Sequence, residues 1–189
     1  MIIGLTGTFG SGKTTVADYL KSKNFSYITL SDLVREQAQK QNLKIEREIL
    51  QNIGNEMRKL YGNGYWAQQA LKKINSKNNW IIDGIRNPGE IEALRKNKNF
   101  MLIALDAPIE IRIKRITERK GIRSERKHSD PNNIEEIKRL EARDRGLNED
   151  NAGQQVEKCI ELADYKINTN TSIEETLKTI EKILKNKIN

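Results

Sequence analysis

Gly7-Thr8-Phe9-Gly10-Ser11-Gly12-Lys13-Thr14 decides the reading of this chain. The stretch fits G-x-x-x-x-G-K-[ST], with a strand-like apolar run over residues 2–6 before it and a helix-period segment over residues 14–23 after it. Given the chain's own residue frequencies, chance supplies such a match less than about 0.01 times per chain, and the strand-then-helix context lowers that further. Glycines in this pattern let successive backbone N–H groups turn inward around phosphate oxygens, and the following helix adds the positive end of its dipole. The pattern predicts that Gly7, Phe9, Gly10, Ser11, Gly12 and Thr15 surround a nucleotide's phosphates and that Lys13 bridges the β- and γ-phosphates. Thr14 brings the hydroxyl that holds Mg²⁺, so ATP and Mg²⁺ are the implied cofactors.

Outward from the loop, further apolar runs fall at residues 25–30, 80–83, 100–106 and 165–168, separated by helix-period segments. The runs WIID and FMLIAL are continuous rather than alternating, which predicts strands buried on both faces of a parallel sheet with helices on both sides. Near the C-terminus, Ile173, Leu177, Ile180 and Leu184 share one helix face, and Ser172 with Glu175 forms a capping box. Two connections are oversized. Residues 31–79 are helical in composition and broken only at Asn42 and around Gly62-Asn63-Gly64, more than one crossover helix requires. Residues 120–133 are charged and nearly free of apolar side chains, the composition of a flap, in which Lys127 and His128 read as surface residues.

Composition narrows the classes. A chain of 189 residues with 36% hydrophobic and 32% charged residues predicts one globular domain rather than a disordered segment. Its longest apolar run, residues 100–105, is far short of the ~20 residues of a membrane helix, and no leader pattern opens the sequence, so a cytoplasmic protein is expected. One cysteine, Cys159, and one histidine, His128, cannot build a zinc cage. Cys159 falls on an apolar stripe with Val156 and Ile160 and reads as core. The net charge of +8 suits an anionic partner, while 5% aromatic content argues against a dedicated single-strand binder.

Asp83 closes the third run and would emerge at the carboxyl edge of the sheet, where open α/β folds place their ligands, making it the second magnesium candidate. The plain alternative is an aspartate that begins an Asp-Gly turn with Gly84. Arg86 would face the same crevice, with a solvated arginine as the plain alternative. Ser31-Asp32-Leu33-Val34-Arg35 would overhang the same edge, although Ser31 or Asp32 also serves as an ordinary helix N-cap.

The loop at 7–14, L-S-D-L-V-R at 30–35, I-I-D-G-I-R at 81–86 and R-I-T-E-R at 115–119 together resemble the P-loop nucleoside monophosphate kinases and the related dephospho-CoA kinases. The resemblance implies a three-layer P-loop kinase fold of class α/β, with a five-stranded parallel sheet, a helical acceptor-binding insert and a short lid. It divides a single domain into a core (residues 1–30, 79–119 and 147–189), an acceptor insert (31–78) and a lid with its hinge (120–146). By position, Asp32 lies near the acceptor's reacting group, while Arg35 and Arg86 hold its phosphate. Arg115 stacks on adenine, Arg119 reaches the ATP phosphates, and Arg143, in preference to Arg145, swings from the lid hinge onto the transferring phosphate. A basic helix face explains Arg115 and Arg119 without any of this. The ending A-D-Y-K-I-N-T-N-T-S resembles the dephospho-CoA kinases and places residues 168–171, among them Asn168 and Asn170, beside adenine.

Three departures stand out: the arginine after the third strand comes one residue earlier than in D-G-F-P-R, the flap has no cysteine pair, and the insert has no base-specific motif. Within the insert Gln51, Asn55, Arg58, Tyr65 and Trp66 are candidate acceptor contacts, with Gly54 and Gly62 allowing close approach; Trp66, Ala70 and Ile74 at helix spacing favour core packing for Trp66. Glu90 and Glu92 could accept from a base amino group, but solvated helix faces explain them more simply. The expected activity is transfer of the γ-phosphoryl of ATP to a nucleoside or deoxynucleoside monophosphate, with dephospho-CoA as the alternative acceptor. A nucleotide-dependent nucleic-acid-binding ATPase is the rival from another class, marked by steep salt-dependent binding to DNA or RNA. Expected partners are ATP and a small phosphorylated acceptor, with no membrane or nucleic acid, in a monomer or homodimer.

Overall fold

The computed structural model describes residues 1–119 and 133–188. Five parallel strands, β1 (Ile2–Thr6), β2 (Ser26–Thr29), β3 (Trp80–Ile85), β4 (Phe100–Asp106) and β5 (Tyr165–Asn168), form one sheet in the order β2-β3-β1-β4-β5. The loop-bearing strand β1 is therefore central. Alternate residues of the buried strands feed two cores, as their continuous apolar composition predicts. Ile3, Leu5, Ile81, Met101 and Ile103 pack with α1 (Lys13–Ser22) and α9 (Ile173–Ile188) on one face. Ile2, Ile82 and Leu102 pack on the other face with α2 (Leu30–Lys40), α3 (Arg47–Tyr61), α4 (Tyr65–Lys73), α5 (Pro88–Arg95) and Cys159 of α8 (Val156–Glu161). Helices α6 (Ile109–Arg119) and α7 (Ile134–Arg145) flank the undescribed residues 120–132, where the flap, Lys127 and His128 lie.

The 31–79 connection breaks where its residues demand. Asn42 has φ +54 just past α2, and Gly62 caps α3 at φ +94. Gly62 is thus there for its backbone conformation, since a Cβ on it would meet nothing, and not for close approach. The Ser172–Glu175 capping box is formed in both directions, at 3.1 and 3.2 Å. The α9 stripe is shifted from its expected face: Ile180 and Leu184 are buried, but Ile173 is 63% exposed. The third strand also runs two residues further than expected. A bulge at Gly84, φ +80, lets β3 continue to Ile85 while turning Asp83 and Gly84 toward the carboxyl edge, so the Asp-Gly pair is a bulge and not a strand-ending turn.

Candidate functional site

The loop between β1 and α1 is closed by backbone that only glycine can supply. Gly7 has φ +137, and a Cβ on it would lie 2.1 Å from the Leu105 carbonyl oxygen; Gly10, at φ +80, abuts the Arg112 backbone. Helix α1 begins with no side-chain cap and no acidic residue in its first turn, leaving its amide end open to an anion. The Lys13 ammonium folds over the loop and donates to the carbonyls of Gly7 (2.6 Å) and Thr8 (2.9 Å). Burial, only partly offset by Asp83, and the neighbouring charges of Arg86 and Arg47 lower its pKa to about 8. A phosphate beside the ammonium would favour its charged form against that burial.

Three buried oxygens around the loop have no protein partner: Thr8 Oγ1, Ser11 Oγ and Asp83 Oδ1. Asp83 is held by its other oxygen, which accepts from the Tyr27 hydroxyl at 2.9 Å. The Thr14 hydroxyl and Asp83 Oδ1 suit Mg²⁺, which binds phosphates and water with one or two protein oxygens. Among the described residues no cluster of three His, Cys, Asp or Glu could hold a metal by itself.

Beside the loop runs a cleft in two parts. Lys13, Thr14, Asp83, Ser31, Arg35, Arg47 and Arg86 line the part over the loop, and Leu30, Val34, Leu50, Gly54, Trp66 and Gln154 line its continuation under the insert, with Arg35, Arg47 and Arg86 common to both. Arg35 and Arg86 thus both line the crevice beyond the sheet's carboxyl edge. Arg47, which lines both parts, carries no motif that marks it in the sequence. A separate cavity behind α1 is lined by Gly12, Thr15, Arg115, Thr169, Thr171, Ile173 and Thr176. Arg115 reaches it from α6, donating to Thr169 through its carbonyl (2.5 Å) and hydroxyl (3.1 Å).

Other expected residues lie elsewhere. Asp32 is exposed and pairs with Arg35 at 2.5 Å, and Ser31 takes the cleft position instead. Arg58 is 3% exposed and locked to Glu90 at 2.9 Å; although it lines the cleft, its charge is already spent tying insert to core. Glu90 is not a solvated residue either: it is fully buried and also accepts from the amides of Arg86 and Asn87, completing the α5 capping box. Glu92 is exposed, as expected. Trp66 is core, 2% exposed, with its indole N–H on the Gly54 carbonyl. Gln51 donates to Asp144 and Asn55 to Glu149, while Tyr65 stacks on Tyr61. Cys159 is buried, and burial pushes its thiol pKa far up.

Arg143 does not line the cleft, although it donates at 3.4 Å to Gln51, which does. It bonds Glu149 (2.5 Å) and Asn52 (2.8 Å), while Arg145 pairs with Glu141, Glu157 and Asp106. Asn168 and Asn170 are exposed and bonded to each other, and Thr169 and Thr171 line the cavity in their place. Strand parity carries that signal: Ile167 and Thr169 share the buried face and the asparagines the other. The side chain of Arg119 lies outside the described residues.

Residues 3–158 match the family described as an AAA domain. A UPF0200 protein of Sulfurisphaera tokodaii is 32% identical over 184 residues, covering 97% of this chain and 96% of that one. A UPF0200/UPF0201 protein of Archaeoglobus fulgidus is 30% identical over 191 residues, and this chain spans 54% of its length. Among solved structures, shikimate kinase from Aquifex aeolicus aligns with TM-score 0.55 at 22% identity, over 98% of this chain and 97% of that one. Shikimate kinase from Acinetobacter baumannii in complex with shikimate aligns with TM-score 0.54 at 18% identity, over 100% and 95%. These likenesses show the P-loop kinase fold. Among the described residues no helix is long and apolar enough to cross a membrane. The chain belongs to the AAA-domain and UPF0200 families.

Proposed function

We propose that this UPF0200 member is an ATP- and Mg²⁺-dependent kinase that transfers the γ-phosphoryl to a small phosphorylated acceptor, a nucleoside or deoxynucleoside monophosphate. The observation that carries the reading is the juxtaposition of an open phosphate loop, two unpartnered oxygens on Ser11 and Asp83, and a cleft walled by Arg35, Arg47 and Arg86. Phosphoryl transfer asks for in-line positioning and positive charge around the equatorial oxygens, and little covalent chemistry. In this reading Lys13 and the loop amides hold the ATP phosphates, and Thr14 with Asp83 holds Mg²⁺. The cavity of Arg115, Thr169 and Thr171 takes the base, and Arg35 and Arg86 take the acceptor's phosphate. In this reading residues 31–78 form the acceptor insert, and the lid expected at 120–146 lies outside the described residues over 120–132.

The carboxylates favour a phosphate acceptor over a hydroxyl one. A hydroxyl needs a general base, whereas a phosphate arrives as an anionic nucleophile. Asp32 is exposed and ion-paired and Asp144 is buried behind two arginines, while Asp83, bonded to the Tyr27 hydroxyl, is in this reading taken up by Mg²⁺.

The test is ADP release from ATP·Mg²⁺ with each common ribo- and deoxyribonucleoside monophosphate, dephospho-CoA, shikimate, a short oligonucleotide, or no acceptor. One monophosphate should stimulate strongly, and Arg86→Ala should raise its KM more than that of ATP. Stimulation by the oligonucleotide, or none by any acceptor, would move the assignment to an ATPase.

A further inference from the structure

Two of the cleft arginines share one carboxylate. Asp144, in the last turn of α7, is 1% exposed. Its Oδ2 accepts from Arg47 Nη2 at 2.5 Å, and its Oδ1 accepts from Gln51 Nε2 at 2.6 Å and lies 3.0 Å from Arg86 Nη1. Burial alone would push this acid's pKa up; the charges of Arg47 and Arg86 and hydrogen bonds from Gln51 and Arg47 outweigh it and hold the group below the usual carboxylate range. The three charged residues come from three separate parts of the chain: Arg47 opens α3 in the insert, Arg86 follows β3, and Asp144 follows the undescribed residues 120–132.

Asp144 stands behind the cleft and does not line it, whereas both guanidiniums do. Arg47 is fixed a second time, its guanidinium carbon lying 4.6 Å over the ring of Phe9 in the phosphate loop. Gln154 Oε1 accepts from Arg86 Nη1 at 3.1 Å. A guanidinium carries five N–H donors in a rigid fork, and the contacts to Asp144 use one nitrogen of each arginine. The arrangement is one negative charge placed to aim two positive ones at a common space beside Lys13.

We propose that Arg47 is a phosphate-binding residue of the acceptor site, joined with Arg86 in a two-guanidinium seat, and that Asp144 is the positioning residue that assembles it. This rests on the phosphotransfer reading above. A seat formed before its ligand arrives loses less rotamer freedom on binding, so two flexible side chains held in place bind an anion more tightly than the same two unheld. Because the carboxylate belongs to α7 and Arg47 to α3, the seat exists only while insert, sheet edge and hinge are assembled.

The experiment is calorimetric titration of inorganic phosphate into the full-length chain saturated with MgADP, so that the loop is already filled, at constant ionic strength. Wild type should bind phosphate, and Arg47→Ala should weaken it at least about tenfold, with Arg47→Lys recovering only part because an ammonium cannot replace the fork. The urea midpoint of each variant, measured beside the titrations, reports a global structural defect independently of either ligand. Asp144→Asn separates positioning from charge: removing a negative charge beside the seat should strengthen anion binding by Coulomb attraction alone, whereas loss of positioning weakens it. Tighter phosphate binding by Asp144→Asn would overturn the positioning role, and wild-type binding by Arg47→Ala would remove Arg47 from the site. If Asp144→Asn fails to fold, Arg47→Gln, at a partly exposed position, still decides the seat. Failure of wild type to bind MgADP would instead sink the phosphotransfer reading, and the phosphate titration without nucleotide would then decide the seat by itself.

Discussion

Replacing Glu90 by alanine should come close to unfolding the protein. Its side chain is fully buried and carries three contacts: Arg58 Nε at 2.9 Å, the Arg86 amide at 2.8 Å and the Asn87 amide at 3.1 Å. Arg58 is itself 3% exposed, so the substitution strands a buried guanidinium, a loss of about 3–5 kcal/mol. The two amides at the start of α5 lose their acceptor as well, at about 1–3 kcal/mol each where water cannot replace it. These losses overlap, and a total of about 4–6 kcal/mol is expected, against about 5–15 kcal/mol for a whole domain. Glu90→Gln keeps an oxygen for the amides but turns its NH2 toward the Arg58 Nε–H and leaves that guanidinium uncompensated, so it should still lose about 3–5 kcal/mol. Urea unfolding of the three proteins gives the comparison through the midpoint at constant slope. A Glu90→Ala variant within about 1 kcal/mol of wild type would refute the claim that this pair ties the insert to the sheet.

Acid should act through Asp144. Its pKa is lowered in the folded chain, so the stability it contributes is fully present above the unfolded value near 3.8 and is lost as pH falls through the folded one. The gap in urea midpoint between wild type and Asp144→Asn should be constant above about pH 5 and close below about pH 4; a gap independent of pH would contradict the linkage. Arg115→Ala should weaken MgADP about tenfold, from the loss of about 1–2 kcal/mol of stacking, and leave MgPPPi unchanged. An equal loss for both ligands would move Arg115 off the base. Cys159 should resist thiol reagents until the chain is unfolded, because it is buried and its pKa is raised; reaction of the native protein at a free-thiol rate would contradict that.

Local signals are legible in the sequence. The phosphate loop, the five strands, the α9 capping box and the break at Asn42 each depend on residues within a few positions of one another. Pairings across the chain were not visible. Arg47 looks like any basic residue at a helix start, and its partner Asp144 is 97 positions away. Arg58 and Glu90 each read as a surface or ligand-facing group until the fold closes one on the other. Arg143, preferred over Arg145 in the sequence, pairs with Glu149 while the carboxylate shared by the cleft arginines is its neighbour Asp144, and Thr169, between Asn168 and Asn170, is the residue that lines the cavity. On a helix one position turns a side chain by about 100°, and on an extended segment by about 180°, so an off-by-one reading changes the face entirely.

The most direct measurement of the central claim follows the transferred group itself. Phosphorus NMR of ATP·Mg²⁺ with each nucleoside monophosphate, for wild type and Lys13→Ala, distinguishes a new diphosphate from free phosphate. The account predicts that one acceptor acquires a β-phosphate resonance with wild type, and that Lys13→Ala, still folded, produces none. Inorganic phosphate appearing at the same rate with every acceptor, or unchanged transfer by Lys13→Ala, would contradict it.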